Sequence, residues 1–258
     1  MQLIRKNKLK CLFCVLLAAV LVVAVTAAEG GGDSRQSSRS QILIPAQPDA
    51  AQRTYALLLG IPQHGSVLGY ERAPVTLQFF GDLQCRESRQ VMLGALPVLI
   101  RHWVRAGKLQ IQFRSLETDT RKAGGYPEFL AQQGAALAAG RQNKLWNFID
   151  AFYRDQGPEF TGYVDEAFLD RIAATAGVEM SSWEEKREPA DWVRPLGRER
   201  RFAVEMHVPT TPAFLIGPTG GEPHLLRHFG LDDPEVFDEA IEELLSKMRP
   251  LRSRASPA

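Results

Sequence analysis

Cysteine is scarce. Three in 258 residues are too few for a disulfide-stapled scaffold or a zinc cluster built on cysteines. Excess charge of either sign is also missing. The 31 Lys+Arg and 30 Asp+Glu give a formal net charge of +1, which excludes a chain-wide basic surface able to hold a phosphate backbone. No nucleic-acid partner is expected. There is no internal repeat at the roughly 20–50-residue periods of solenoids and propellers. The five histidines, His64, His102, His207, His224 and His228, lack a metal-binding spacing such as H-x-x-x-H with a carboxylate between. The turn Gly217-Pro218-Thr219-Gly220-Gly221 is not a phosphate loop, because no helix follows it. Ser88 lacks the nucleophile-elbow motif of serine hydrolases. No metal and no cofactor are therefore expected. What is plentiful is apolar sequence: 45 % of residues, enough for a full core and too much for a disordered chain.

The bases are unevenly placed. Residues 1–28 hold Arg5, Lys6, Lys8 and Lys10 and no acid, which leaves the remainder slightly acidic. The run from Cys11 to Ala28 carries no charge. As a helix it would span about 27 Å, against roughly 30 Å for a bilayer core. Bases before it place the N-terminus in the cytoplasm. Val25-Thr26-Ala27 and Thr26-Ala27-Ala28 are both passable signal-peptidase sites. The length of the run favours a retained signal-anchor over a cleaved signal peptide. Either way the rest of the chain is expected outside the cytoplasm, as a single-pass membrane protein or a secreted one. Residues 29–50 read as a flexible tether and 249–258 as a disordered basic tail.

Between them, 51–248 alternates strand and helix patterns. Val75 to Phe80 is a β-rich buried run, and Leu109 to Phe113 alternates apolar and polar residues. A helical pattern from Cys85 to about Arg105 lies between them, with a kink expected near residue 93 from Gly94 and Pro97. Strand, helix and strand at this spacing form a βαβ unit with parallel strands. Helical patterns fill 128–140, 144–155, 165–176, 182–188 and 191–206, and Ser182 with Glu185 resembles a capping box. Ala213–Ile216 and Leu225–Phe229 read as a hairpin, and Asp233-Pro234 opens a final helix. The fold class is α/β, with a four-stranded mixed sheet and a helical insertion at about 115–207.

Cys85 is the cysteine outside the apolar run, at a strand-to-helix junction. Backbone N–H groups and the helix dipole there favour a thiolate, which Arg86 would support and Glu87 oppose. A partly exposed sulfur with a pKa below the free value of about 8.5 is expected. The plainer alternative is a small buried hydrophobe. Thr211-Pro212, opening a strand, is a plausible cis peptide, although trans has the better base rate.

Several pieces together resemble the DsbA-like branch of the thioredoxin superfamily, the extracytoplasmic thiol–disulfide oxidoreductases of bacteria. They are Ala73-Pro74-Val75-Thr76-Leu77 leading through Phe79-Phe80 to Asp82-Leu83-Gln84-Cys85, Leu145-Trp146-Asn147-Phe148 with Phe152-Tyr153, and Val208 with Thr210-Thr211-Pro212. The likeness spans Gly60 to Phe229. It implies a thioredoxin-like fold with an inserted helical subdomain, a cis Thr211–Pro212 bond beside the motif, and Thr211 and Pro212 as substrate-binding residues. The family's redox motif is C-x-x-C, whereas this chain reads Cys85-Arg86-Glu87-Ser88. The nucleophile maps on Cys85 and the resolving position on Ser88. A serine cannot resolve a mixed disulfide, so the resemblance implies monothiol exchange at Cys85, with Ser88 reduced to a hydrogen-bond donor. The expected partners are exported cysteine-containing proteins and an external resolving thiol. Two alternatives stay open: a redox-inactive peptide-binding or chaperone-like module, and a protein using Cys85 for one permanent intermolecular disulfide.

Overall fold

The computed structural model describes residues 49–248. The apolar run at 11–28, most of the 29–50 tether and the 249–258 tail lie outside them. Among the described residues, no helix is long and apolar enough to cross a membrane.

In chain order the elements are α1 (Ala50–Leu58), β1 (Gln63–His64), β2 (Val67–Leu68), β3 (Val75–Gly81), α2 (Arg86–Leu93), α3 (Ala95–Leu99) and a π-helical turn at Ile100–Val104. They continue with β4 (Leu109–Ser115), α4 (Thr120–Ala123), α5 (Gly125–Arg141), α6 (Leu145–Arg154), α7 (Glu166–Ala176), α8 (Met180–Lys186) and α9 (Pro189–Glu205). The chain ends in β5 (Ala213–Pro218), β6 (His224–Leu225) and α10 (Glu235–Met248). One mixed sheet runs in the order β1-β2-β4-β3-β5-β6. β3 and β4 are parallel, with Val75 opposite Leu109 and Phe79 opposite Phe113. β5 lies antiparallel on the other side of β3. The helices α4 to α9 fall between β4 and β5, as the sequence implies.

The alternation of β3 sets two layers. Val75, Leu77 and Phe79 enter the main core, where Phe79 stacks on Phe214 at 5.1 Å and meets Phe113 edge-on at 5.6 Å. The opposite face is narrower. Phe80 joins Ala203, Val208, Ala213 and Leu215 there, while Gln78 accepts from Arg114, whose guanidinium makes two bonds of 3.0–3.1 Å to Glu199 on α9. Trp146, Phe148 and Phe152 are buried core of the helical block, as apolar positions at helical spacing would be.

Four sequence expectations are corrected. The sheet has six strands rather than four: β1 and β2 have two residues each, too short for any period to show, yet they extend the β4 edge. The second hairpin strand is two residues long rather than five. His228 takes a left-handed backbone (φ 59°) and Phe229 turns in to pack edge-on against Phe214 at 4.9 Å, so the ladder ends early. Helix α8 starts at Met180, with Glu179 as its cap accepting from Ser181 and Ser182 N–H, so Ser182 with Glu185 is not a capping box. The tether gives way to structure at its last residue, because Asp49 caps α1 by accepting from Gln52 N–H at 2.7 Å. The expected kink is a full break at Gly94, where a Cβ would come within 2.8 Å of Gln90 O and collide with Asp232.

Helix α1 is held to α6 by a buried polar cluster. Thr54 donates to the Asp150 carboxylate, which also receives Arg154 Nε at 2.8 Å and Nη2 at 3.2 Å. Asp150 has no exposed side-chain surface and Arg154 only 15 %. Removing the carboxylate strands a mostly buried cation and a hydroxyl. Asp150→Ala is therefore expected to lower stability by about 3 kcal/mol, read as a fall in the urea midpoint with an unchanged slope.

Candidate functional site

Strand β3 ends at Gly81, where a Cβ would come within 2.8 Å of the Phe113 ring and 3.0 Å of the Tyr153 hydroxyl. The backbone must therefore approach α6 closely at this point. Asp82 follows, fully buried. One carboxylate oxygen accepts from Gln84 N–H at 3.0 Å and the other from Thr118 N–H at 2.8 Å and Thr120 N–H at 3.0 Å. Thr120 Oγ1 adds a short bond and Gln132 Nε2 a longer one at 3.4 Å. The Asp82 carbonyl accepts Tyr153 OH and Cys85 N–H, each at 3.0 Å. This turn is also gripped by Gln156, whose Nε2 donates to Leu83 O at 2.8 Å and Cys85 O at 3.2 Å.

Cys85 then caps α2. Its backbone is extended (φ −74°, ψ 124°) and its sulfur accepts the Ser88 N–H at 3.4 Å. Facing it is the loop before β5. The Thr211–Pro212 bond is cis, as the resemblance implies, and the Cys85 Sγ lies 3.5 Å from Thr211 O. Thr211 Oγ1 is 2.5 Å from Thr118 Oγ1, so the loop is tied to the same threonine that serves Asp82. Three separate stretches, the 82–85 turn, Thr118 and Thr211, are thus tied together around one sulfur.

A family model described as thioredoxin matches residues 63–229, the span that holds all of these contacts. The chain belongs to the thioredoxin family. Two curated relatives carry the name probable disulfide bond formation protein D. The Bacillus cereus protein is 26 % identical over 165 residues, covering 64 % of this chain and 67 % of its own length. The Bacillus anthracis protein is 28 % identical over 102 residues, covering 40 % of this chain and 45 % of its own. The chain thus spans less than half of one of these relatives and about two thirds of the other. Among solved structures, oxidised BdbD from Bacillus subtilis superposes with a TM-score of 0.59 at 17 % identity, covering 72 % of this chain and 97 % of that one. Wolbachia pipientis α-DsbA1 gives 0.58 at 18 % identity, covering 70 % and 91 %.

The thiol differs from expectation. Cys85 has no exposed surface, and burial pushes its pKa up to about 11. The Ser88 and Thr211 contacts oppose the rise, and Asp119 adds to it. The sequence reading expected a partly exposed sulfur and a lowered pKa. The helix N–H is present as expected, but loss of water around the sulfur outweighs it. Arg86 does not help: its guanidinium is largely exposed and lies 3.4 Å from Glu87. Its backbone N–H, one of the free donors of the helix end, is taken by Glu159 Oε1 at 3.1 Å. The thiol itself donates to Glu87 Oε2 at 3.5 Å.

Ser88 is buried and its hydroxyl makes no hydrogen bond of ordinary geometry, though it lies near enough to the Cys85 sulfur to oppose the rise in its pKa. His207 sits exposed just past α9 with a left-handed backbone (φ 55°). The sequence reading missed Asp82 as an organising group, together with Thr118, Asp119, Gln156 and Glu159. Their partners lie tens of residues away, so no spacing rule reveals them. A carboxylate directly after a buried strand was the one available signal.

Asp82 faces donors on nearly every side, and an amide would turn its N–H₂ toward some of them. Asp82→Asn is expected to cost about 3 kcal/mol in urea unfolding, whereas Glu87→Gln, on an exposed side chain, should stay within about 0.5 kcal/mol of the parent.

Proposed function

We propose that the protein performs thiol–disulfide exchange with exported cysteine-containing proteins through Cys85 alone, tethered outside the cytoplasm by residues 11–28. The observation that carries this reading is the 3.5 Å approach of the Cys85 sulfur to Thr211 O in the cis-proline loop. A cysteine that caps a helix beside a cis-proline loop is placed to attack a disulfide whose backbone lies along that loop. Thr211 and Pro212 would hold the partner chain.

The chemistry balances as one exchange. Cys85 loses its proton to Glu87 or water, its sulfur attacks one sulfur of a partner disulfide, and the other partner sulfur leaves as a thiolate. The product is a mixed disulfide. Ser88 supplies no second thiolate, so an external thiol must attack the Cys85 sulfur–sulfur bond to regenerate the enzyme. With a thiol pKa of about 11, the thiolate fraction at neutral pH is about 300-fold below that of a free cysteine. Exchange is therefore slow at rest and depends on partner binding to open the site.

A second reading has one observation in its favour. The complete burial of Cys85 suits a redox-inactive peptide-binding or chaperone-like module that keeps the groove and not the turnover.

The two readings separate in the full chain carrying Cys11→Ala and Cys14→Ala. Incubated with a disulfide-linked peptide, it is expected to form a mixed disulfide seen as a mass increase, faster at higher pH and absent in Cys85→Ala. Release of reduced insulin chains should require added glutathione, whereas Ser88→Cys should release them once per protein without it, ending as an internal disulfide that glutathione must reduce for further turnover. Absence of any adduct at pH values where the protein stays folded would leave the binding module as the function.

A further inference from the structure

One ligand atom each from Cys85, Glu87 and Asp119 lies within 4.8 Å of the other two. Cys85 and Glu87 come from the cap and first turn of α2, and Asp119 from the residue before α4. A tetrahedral zinc site with bonds of 2.0–2.3 Å needs its donors roughly 3.3–3.8 Å apart. Cys85 Sγ and Glu87 Oε2 are already at 3.5 Å. Glu87 has 43 % of its side chain exposed and can rotate to complete the set.

Two independent observations point to a cation at this place. A flexible ammonium already sits there: Lys122 Nζ is 2.9 Å from Asp119 Oδ1 with 68 % of its side chain in water. The second is Ser88 Oγ, fully buried close to the sulfur and without a hydrogen bond of ordinary geometry. A neutral thiol that donates its proton toward Glu87 is a poor acceptor. A metal-bound thiolate is a good one, and metal ligands are regularly held by such neighbouring donors.

We propose that Cys85 Sγ, one Glu87 oxygen and one Asp119 oxygen bind a single zinc-class divalent cation, with water in the fourth position. One thiolate with two carboxylates and an open position suits zinc in geometry and softness. Binding forms a metal–sulfur bond and releases the thiol proton to water; no electrons move. Lys122 leaves Asp119 for solvent and, close by, offsets the residual negative charge. Donation to the cation lowers the nucleophilicity of the bound sulfur and the metal with its other ligands blocks the approach of a disulfide, so the metal masks Cys85 and the metal-free form is the one able to exchange. The inference is independent of the exchange reading, since a redox-inactive module with this cluster would bind the metal equally well.

The test uses the reduced full chain with Cys11→Ala and Cys14→Ala, titrated with cobalt(II) and then with zinc against a chelating dye. A thiolate-to-cobalt charge-transfer band saturating at one equivalent is expected. Cys85→Ser should abolish the band, and Glu87→Gln and Asp119→Asn should each weaken zinc binding by at least about tenfold. Glu243→Gln, on α10 and paired there with Lys247, should change the affinity less than about twofold. Absence of the band, or unchanged zinc affinity in both carboxylate variants, overturns the proposal. Glu87 is half-exposed, so its variant reports on binding even if Asp119→Asn misfolds. Mixed-disulfide formation in metal-free buffer is read separately. A cobalt band without exchange defeats the exchange reading alone.

Discussion

A single buried carboxylate organises the site. Asp82 has no charged partner within hydrogen-bond distance; it is held by backbone N–H groups of Gln84, Thr118 and Thr120 with side-chain donors added. A buried anion with its lone pairs filled by fixed donors is costly to move, because any displacement exposes unpaired groups in a low-dielectric interior. The end of β3, the link from β4 to α4 and the body of α5 are therefore fixed relative to one another. Through Thr118 the constraint reaches Thr211, and through its own carbonyl it reaches Cys85 and Tyr153. The geometry around the sulfur follows from this arrangement.

At Cys85 two effects compete. The α2 N-terminus offers the Ser88 N–H, which favours a thiolate. Burial removes the water that would stabilise any charge. Burial wins, and Asp119 reinforces it; Glu87 also lies against the thiol, and Glu159 occupies the Arg86 N–H at the helix end. Ser88 stands where a second thiol would be needed to resolve a mixed disulfide, and the Cys85 sulfur is held protonated by burial. Both features act in one direction, toward a thiol that is quiet until something displaces its surroundings.

Much of this was legible before any coordinates. The βαβ unit showed in the β-rich run at 75–80 and the alternation at 109–113, because both strands are long enough to display their period. The helical block and its position between the second long strand and the hairpin were legible for the same reason. Two-residue strands such as β1 and β2 carry no period at all. The end of β6 depends on Phe229 finding Phe214 and Phe237, which is tertiary information. Within the site, the helix-capping place of Cys85 and the Thr211–Pro212 loop were readable from the junction and the family pattern. The ionisation of Cys85 was not. It depends on how completely the loops from residues far along the chain exclude water from one atom.

The rate of Cys85 alkylation against pH, measured on the folded full chain with Cys11→Ala and Cys14→Ala, tests this account most directly. A buried, protonated thiol predicts a rate that keeps rising through the alkaline range toward a midpoint near 11. A rate that levels off at or below the free-cysteine value of about 8.5 would contradict it.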